Sequence, residues 1–265
     1  MTDTDTMLLA IDIGNTNTVL GVFRSDTLLR SWRIKSDRDK TSDEFGILMR
    51  QLLDSADIYK EQLNACAVCS VVPPLSTPIA RAVRDYLSLV PLCIGPGIKT
   101  GISIRTDNPR EVGSDRIVNS VAAHDLNPDG AIVVDFGTAT TFDCVSPQAQ
   151  YLGGIIAPGV RIGAEALASR TSKLPRIDLT FPESVVGTNT ASAIQSGITY
   201  GYVDMVDGLA RRLRAELPFD PLIIATGGLA PLIATHSTTI QTVDEDLTLQ
   251  GLRLIHERNR EHTKR

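Results

Sequence analysis

Short apolar segments at the start of the chain have the pattern of β-strands. The segments LLAIDIG (8–14), TVLGVFR (18–24) and TLLRSWRIK (27–35) are rich in β-prone residues and are separated by turn formers. From about residue 42 to residue 56 the apolar residues recur at the helical spacing instead. This pattern predicts three strands joined as hairpins, followed by an amphipathic helix.

The next segments alternate between strand and helix patterns. ACAVCSVV (65–72) and PLCIG (91–95) predict strands on either side of a helix over 76–89, with Ser76 or Thr77 near its cap. A loop rich in turn formers then leads to a predicted helix over 114–126, which the NPDG turn ends. We predict a domain boundary at this turn.

The segment AIVVDFGTATTFDCV (131–145) repeats the pattern of the opening hairpin. An apolar strand ends in Asp-x-Gly, small polar residues follow, and a second β-prone run leaves the turn. A further strand and helix follow in the same order as in the first half, which indicates a diverged duplication of one α/β unit. We therefore predict two domains, 1–127 and 128–265. The second ends in helices over about 190–217 and 247–258, with the strand PLIIAT between them.

Composition and charge limit the classes of function. The 265 residues are 42% hydrophobic and 22% charged, as expected for a globular protein, and the formal net charge is −5. The negative net charge disfavours nucleic-acid binding. The charged run RIKSDRDK (33–40) is typical of a solvated surface. The sequence contains no apolar run near the ~18 residues of a membrane span, and its first residues are acidic. We expect a cytoplasmic protein without a membrane partner.

Two of the four cysteines form a CxxC pair in NACAVCSVV. A zinc site requires further ligands, and a redox pair is expected at the start of a helix. Cys66 and Cys69 have neither context in the sequence. We interpret them as small core residues of a buried strand.

The turn DIGNTNT has the composition of a phosphate-binding loop. Glycine and small polar residues let backbone N–H groups and hydroxyls converge on an anion. Asp12 could hold Mg²⁺ against the same phosphates, since this ion takes one or two carboxylates and completes its shell with water and phosphate oxygens. One such turn would favour a simple polar hairpin, but the second Asp-x-Gly, at Asp135, favours nucleotide binding. The stretch TGGLA (226–230) is suitably placed for adenosine.

The segment EVGSDR places an aspartate and an arginine at the start of a predicted helix. Asp115 could take a proton from a hydroxyl, and Arg116 could bind an anionic substrate group. Alternatively, Ser114 or Asp115 only caps the helix. The residues by themselves leave both interpretations open.

The motifs together resemble those of the type III pantothenate kinases, in the acetate and sugar kinase, Hsp70 and actin superfamily. The resemblance runs from about residue 8 to residue 255, in the family's order, through DIGNTNT, GPGIKTGI, DNPREVGSDRIVN, VVDFGTATTFD, GGIIAPGV, NTASAIQSGI and ATGG. It implies duplicated actin-like (ribonuclease H-like) domains, each a mixed sheet flanked by helices, with the active site in the cleft between them. The implied reaction is ATP-dependent phosphorylation of pantothenate, the first step of coenzyme A biosynthesis.

The resemblance also implies residue roles. Asp115 is the general base, Asp12 positions Mg²⁺, and Asp135 holds a monovalent cation, potassium or ammonium. The implied pantothenate contacts are Gly113, Ser114, Asp115, Arg116 and Thr190. The implied ATP contacts are Asp12, Ile13, Gly14, Asn15, Thr16, Asn17, Thr18, Val19, Thr138, Gly227 and Gly228. Family members are usually homodimers.

Two positions depart from the family pattern, and two other functions stay open. Ser114 stands where alanine is frequent, and Thr106 stands where a substrate-contacting tyrosine is frequent. The alternatives are a kinase of another small hydroxylated acid or sugar, and a nucleotide-binding accessory or regulatory protein. The accessory protein predicts damaged catalytic positions, whereas Asp12, Asp115, Arg116 and Asp135 are all present.

Overall fold

The computed structural model describes the backbone of residues 7–263 and side chains as far as residue 260. The chain forms two compact units. Within the described range, the first unit comprises residues 7–101, 108–122 and 248–263, and the second comprises residues 102–107 and 123–247. The chain therefore leaves and re-enters the first unit, so neither unit is one continuous segment.

A five-stranded mixed sheet organises the first unit. Its strands are β1 (Met7–Ile13), β2 (Asn17–Arg24), β3 (Thr27–Lys35), β4 (Leu63–Ser70) and β5 (Pro91–Cys93), in the order β3-β2-β1-β4-β5. β1, β2 and β3 form the predicted antiparallel meander, and β4 and β5 add in parallel to β1. Helices α1 (Ser42–Asp54) and α2 (Pro73–Leu87) supply Phe45, Met49 and Ile79 to the core against this sheet. Burial of these apolar side chains is the main force that holds the layers together.

The sheet of the second unit repeats this order. Its strands are β6 (Ser103–Ile104), β7 (Ala131–Phe136), β8 (Ala139–Val145), β9 (Gln150–Pro158), β10 (Leu222–Thr226) and β11 (Thr242–Val243). The order is β11-β10-β7-β8-β9-β6, so β9-β8-β7-β10-β11 corresponds to β3-β2-β1-β4-β5. Helices α4 (Val160–Arg170), α5 (Thr190–Glu216) and α6 (Ala230–Ala234) lie in this unit. The predicted α/β class with a repeated mixed sheet is confirmed.

The helix boundaries confirm one prediction and correct another. α3 (Ser114–Leu126) occupies the predicted residues. α2 begins at Pro73, so the cap predicted at Ser76 or Thr77 is wrong, and Val72 stands at the cap without a side-chain hydrogen bond. Proline fits the first turn because the N–H it lacks has no partner there. The strand before α2, β4, also ends two residues earlier than predicted, at Ser70, and it begins two residues earlier, at Leu63.

The last helix, α7 (Leu247–Thr263), packs on the first unit almost along its whole length. The Thr248 hydroxyl donates to Asn119 Oδ1 at 2.7 Å, and a Cβ on Gly21 would lie 2.7 Å from Leu249 Cδ1. The predicted domains 1–127 and 128–265 cut the chain once and assign this helix to the second half. The compact units differ from that division because these contacts join residues far apart in sequence.

α5 connects the loop after α4 to the final strands. The Asn189 side chain caps it by accepting from Ser192 N at 2.9 Å, and its buried positions include Val203, Val206 and Ala210. The 27-residue length exceeds a typical helix, but polar and charged residues interrupt its apolar positions. Across residues 7–263, no helix has the length and hydropathy of a membrane span.

A buried carboxylate on α5 fixes the loop that precedes β11. Asp207 is 4% exposed. Its oxygens accept from the Ser237 hydroxyl at 2.5 Å, from the Thr238 N–H at 2.8 Å and from the Thr239 hydroxyl at 2.8 Å. Burial would raise the pKa of Asp207, but these donors outweigh it and hold the pKa at about 2.

We expect Asp207→Asn to destabilise the protein at neutral pH by about 2 kcal/mol. A folded pKa below the ordinary value means that the ionised group stabilises the fold above about pH 4 and loses this effect as the pH falls toward about 2. Urea unfolding at several pH values would measure the difference from wild type, which should shrink on acidification. The control is Asp204→Asn, an exposed position on the same helix. An equal loss in both variants would contradict this interpretation.

Candidate functional site

The first predicted phosphate turn joins β1 to β2. Ile13 pairs with Thr18, and the Gly14 N–H donates to the Asn17 carbonyl at 3.0 Å. A Cβ on Gly14 would lie 3.0 Å from the same carbonyl oxygen, so a larger residue would crowd the turn. Asn15 and Thr16 are exposed at its tip. The turn thus presents backbone and short polar side chains, the groups that bind a phosphate.

Ser36 supports this turn, although it lies in the charged run 33–40, which is typical of a solvated surface. It follows β3 and is only 9% exposed. Its hydroxyl donates to the Gly14 carbonyl at 2.6 Å, and its N–H donates to the Thr16 carbonyl at 3.0 Å. Ser36 was missed because it stands inside a run of charged residues.

Asp115 lies in the first turn of α3. Its Oδ1 accepts from the Arg116 N–H at 2.8 Å, and a Cβ on Gly113 would lie 2.5 Å from that oxygen. Glycine at 113 therefore makes room for the carboxylate. The Ser114 hydroxyl points to β4 and donates to the Ser70 carbonyl at 3.1 Å, so it does not cap the helix. The carboxylate contacts the start of the helix. This position is compatible with two roles for Asp115, stabilisation of the helix and proton transfer.

The electrostatic environment links Asp115 to Asp12. Burial raises the pKa of Asp115 above its ordinary value, and the N–H and charge of Arg116 offset part of the rise. Burial also raises the pKa of the Cys69 thiol, and the carboxylates of Asp12 and Asp115 raise it further. Cys69 pairs with Asp12 across β4 and β1, and its thiol donates to the Ser114 hydroxyl at 3.2 Å. The first unit thus brings Asp12 and the Gly113–Arg116 segment together around one neutral, buried thiol.

The second predicted turn joins β7 to β8. Asp135 pairs with Thr226 of the neighbouring β10, after which Gly227 adopts a φ of +88°, a conformation that favours glycine. A Cβ on Gly227 would lie 2.6 Å from Asp135 Oδ1 and 2.8 Å from the Phe136 carbonyl oxygen. The second unit therefore brings together Asp135, the exposed Thr138 and the glycine pair at 227–228.

Gly159, which is not among the predicted site residues, lies directly against this second turn. A Cβ there would be 2.7 Å from the Thr138 carbonyl carbon and 2.9 Å from the Gly137 oxygen. The Tyr202 hydroxyl of α5 lies 3.0 Å from the Pro158 oxygen and 3.1 Å from the Gly159 oxygen. The short APGV segment that contains Gly159 is the only signal for this role in the sequence.

Thr190, a predicted substrate contact, lies in another part of the second unit. It is the first residue of α5 and lines a cavity of about 700 Å³ with Leu167, Leu174, Thr188, Ile194 and Ile198. Asp135 and Thr138 are not among the lining residues. Thr106 follows β6 near Gly153, and its hydroxyl is enclosed with no hydrogen-bond partner among the described residues. Thr106 therefore offers neither a ring nor an exposed hydroxyl at the position of the family's substrate-contacting tyrosine.

The donor groups suit the two implied cations. No cluster of three His, Cys, Asp or Glu side chains that could cage a metal occurs among the residues described here. A half-buried single carboxylate, Asp12, beside an exposed phosphate turn matches Mg²⁺, which takes most of its ligands from water and phosphate. The Asp135 carboxylate and the Phe136 carbonyl oxygen both lie close to Gly227, and potassium is bound by oxygens of this kind.

Comparison with known sequences identifies close relatives. A family model described as type III pantothenate kinase matches residues 8–212. The type III pantothenate kinase of Anaeromyxobacter sp. (strain Fw109-5) is 55% identical over 254 residues, covering 96% of this chain and 100% of that protein. The match therefore extends over both repeated sheets.

Comparison with solved structures concerns the fold alone. A conserved putative Baf family transcriptional activator from Campylobacter jejuni has a TM-score of 0.59 at 18% identity, covering 96% of this chain and 99% of that one. The ROK hexokinase of Thermus thermophilus has a TM-score of 0.53 at 13% identity, with coverage of 96% and 99%. Both support duplicated actin-like domains as the fold.

We expect Gly159→Ala to distort the second turn. The backbone at Gly159 has a φ of −71°, which alanine adopts freely, so the effect is steric. Overpacking of this kind costs roughly 1–3 kcal/mol. Thermal unfolding and ATP titration should show lower stability and weaker binding. The control, Gly208→Ala on α5, has open space around its Cβ position and should stabilise the protein by ~0.5–1 kcal/mol. Unchanged ATP binding in Gly159→Ala would contradict the supporting role.

Proposed function

The chain belongs to the type III pantothenate kinases, which phosphorylate pantothenate with ATP in coenzyme A biosynthesis, and we propose that Asp115 is the general base of this reaction. The observation that carries the proposal is the position of this carboxylate. It lies at the start of α3, beside Arg116 and in the same cluster as Asp12. The general base must lie near the acceptor hydroxyl, and that hydroxyl must lie near the phosphoryl group that is transferred to it.

The raised pKa of Asp115 supports this role. A carboxylate whose pKa lies above the ordinary value is a stronger base. In the proposed reaction, Asp115 orients the primary hydroxyl of pantothenate and accepts its proton as the hydroxyl oxygen bonds to the γ-phosphorus of ATP, while the bond from that phosphorus to the bridging oxygen breaks and ADP leaves. Its hydrogen bond from the Arg116 N–H holds the carboxylate in place.

The remaining substrate contacts follow from the same segment. Arg116 binds the carboxylate of pantothenate, since a guanidinium pairs with a carboxylate through two parallel hydrogen bonds. Gly113 and Ser114 line the pocket without large side chains, and Thr190 supplies a further polar contact. These assignments are supported by the family motif and by the small size of residues 113 and 114.

The two hairpin turns bind the nucleotide in this proposal. Residues 12–19 contact the phosphates through backbone N–H groups and short side chains, Thr138 acts in the second turn, and Gly227 and Gly228 allow close approach to adenosine. Asp12 would hold Mg²⁺, which neutralises phosphate charge when it is bound. Asp135 would hold potassium or ammonium beside Gly227. Phosphoryl transfer depends mainly on such positioning and charge neutralisation.

The proposal also includes a homodimer and a cytoplasmic location. Both are supported by family membership. The comparisons do not favour the alternatives, a kinase of another hydroxylated acid or sugar and an accessory nucleotide-binding protein, because the match to pantothenate kinases covers 96% of the chain at 55% identity.

We expect Asp115→Asn to lower turnover by roughly 10²–10⁴-fold while ATP still binds, because general-base catalysis contributes about this much. A coupled assay with pantothenate, ATP, Mg²⁺ and K⁺ measures turnover, and a panel of hydroxy acids and sugars tests the substrate. Because a raised folded pKa makes the ionised group destabilising at neutral pH, the variant should be at least as stable as wild type.

The matched control is Asp125→Asn, an exposed position on the same helix, which should keep full turnover. In wild type, kcat/KM should fall on acidification through a pKa above the ordinary aspartate value. Near wild-type turnover in Asp115→Asn would refute the assignment of the base, and activity on another substrate in the absence of activity on pantothenate would refute the substrate.

We expect turnover to depend on a monovalent cation bound at Asp135. Replacing K⁺ by tetramethylammonium at constant ionic strength should lower kcat, and ammonium should restore it. Asp135→Asn should have low activity that no longer responds to K⁺, whereas the exposed control Asp129→Asn should respond as wild type does. A wild-type enzyme indifferent to potassium would exclude this role.

A further inference from the structure

We infer that Ser36 is a positioning residue for the first phosphate turn and that Thr18 acts through Ser36 rather than on the nucleotide. This inference rests on the proposed function, in which residues 12–19 bind ATP phosphates. It assigns a role to a residue outside every motif identified in the sequence. It also removes one side chain from the set of direct ATP contacts.

The hydrogen bonds of Ser36 reach the turn at three points. Its hydroxyl donates to the Gly14 carbonyl at 2.6 Å, its N–H donates to the Thr16 carbonyl at 3.0 Å, and its Oγ lies 2.9 Å from Thr18 Oγ1. A serine hydroxyl carries one hydrogen. Since that hydrogen goes to Gly14, the Thr18 hydroxyl must be the donor in the third contact.

This direction of donation determines what Thr18 can do. The Thr18 hydroxyl hydrogen is committed to Ser36, and the residue is 1% exposed. A hydroxyl that binds a phosphate must donate to it. Thr18 therefore has neither the hydrogen nor the access for a phosphate contact. Its role is to orient the Ser36 hydroxyl, which leaves the more exposed residues of the turn to face the nucleotide.

The bond to Gly14 has a consequence for the backbone of the turn. In a trans peptide the carbonyl and the following N–H point in opposite directions. Because Ser36 holds the Gly14 carbonyl toward itself, the Asn15 N–H points away from Ser36. An N–H fixed in this way before ligand arrives is preorganised for an anion. Loss of the Ser36 hydroxyl would let this peptide rotate.

A double-mutant cycle tests the inference. The variants are Ser36→Ala, Thr18→Val and the double variant, with Ser31→Ala on the exposed part of β3 as control. Calorimetric titration gives the affinity for MgATP, and steady-state kinetics give separate KM values for ATP and pantothenate. Losing one hydrogen bond in the turn should weaken ATP binding about fivefold to tenfold. The KM for pantothenate should not change.

We expect the effects of Ser36→Ala and Thr18→Val on the free energy of ATP binding to be strongly non-additive. Ser36→Ala and the double variant should bind ATP equally within about twofold, because Thr18 has no effect once its partner is gone. Ser36→Thr, which keeps the hydroxyl, should bind ATP better than Ser36→Ala. Thermal unfolding of each variant measures any general loss of stability, and Ser31→Ala should match wild type throughout.

Three outcomes would overturn the inference. If the two single effects multiply in the double variant, Thr18 contacts ATP directly. If Ser36→Ala binds ATP as wild type does, Ser36 does not position the turn, and a lower melting temperature in that case assigns it a structural role only. If Thr18→Val alone weakens binding and Ser36→Ala does not, the order of action is reversed.

The same measurements separate this inference from the proposed function. A wild-type protein that binds ATP but does not phosphorylate pantothenate refutes the function, while the cycle on ATP affinity still tests Ser36. A wild-type protein that phosphorylates pantothenate and a Ser36→Ala variant with unchanged ATP affinity refute only the inference. If wild type does not bind ATP, both are refuted.

Discussion

A hairpin turn that must bind an anion cannot be held by its own side chains. Bulky residues would block the ligand, so the turn consists of glycine and short polar residues, and such a segment has little packing of its own. The proposed function places such a turn in both repeated sheets, and in both the turn has support from outside the hairpin. Ser36 holds the first turn through hydrogen bonds, and the backbone at Gly159 lies against the second. The rest of each unit provides a rigid sheet on which these supports are placed.

Two enclosed carboxylates, Asp207 and Asp115, differ in the number of hydrogen-bond donors around them, and this difference sets the direction of their pKa shifts. Asp207 is buried, and several donors stabilise its charge, so its pKa is low and it anchors a loop. Asp115 is also largely enclosed, but the Arg116 N–H and charge only partly compensate for burial, so its pKa is raised. A carboxylate with few donors carries an energetic cost in the folded state that a structural role does not require. This difference supports a chemical role for Asp115.

Sequence patterns predicted those parts of the fold and of the candidate site that depend on local periodicity and on local motifs. The strand pattern predicted both hairpins, and the Asp-x-Gly repeat identified Asp12 and Asp135 as equivalent strand ends. Contacts between distant segments were not predictable in this way. Ser36 lies within the charged run 33–40, where burial of one serine leaves no periodic signal. The packing of α7 on the first unit includes the hydrogen bond from Thr248 to Asn119, a pair separated by 129 positions.

The two supports also show what duplication has retained. Strand order and the Asp-x-Gly turn are common to both sheets, and the proposed function places a phosphate contact at each turn. The supports differ in chemistry, one a hydroxyl after the third strand and the other a glycine after the corresponding strand, β9. They occupy equivalent places in the repeat, since each follows the third strand of its meander. The position of the support is therefore a property of the fold, and its chemistry is free to differ between the two halves.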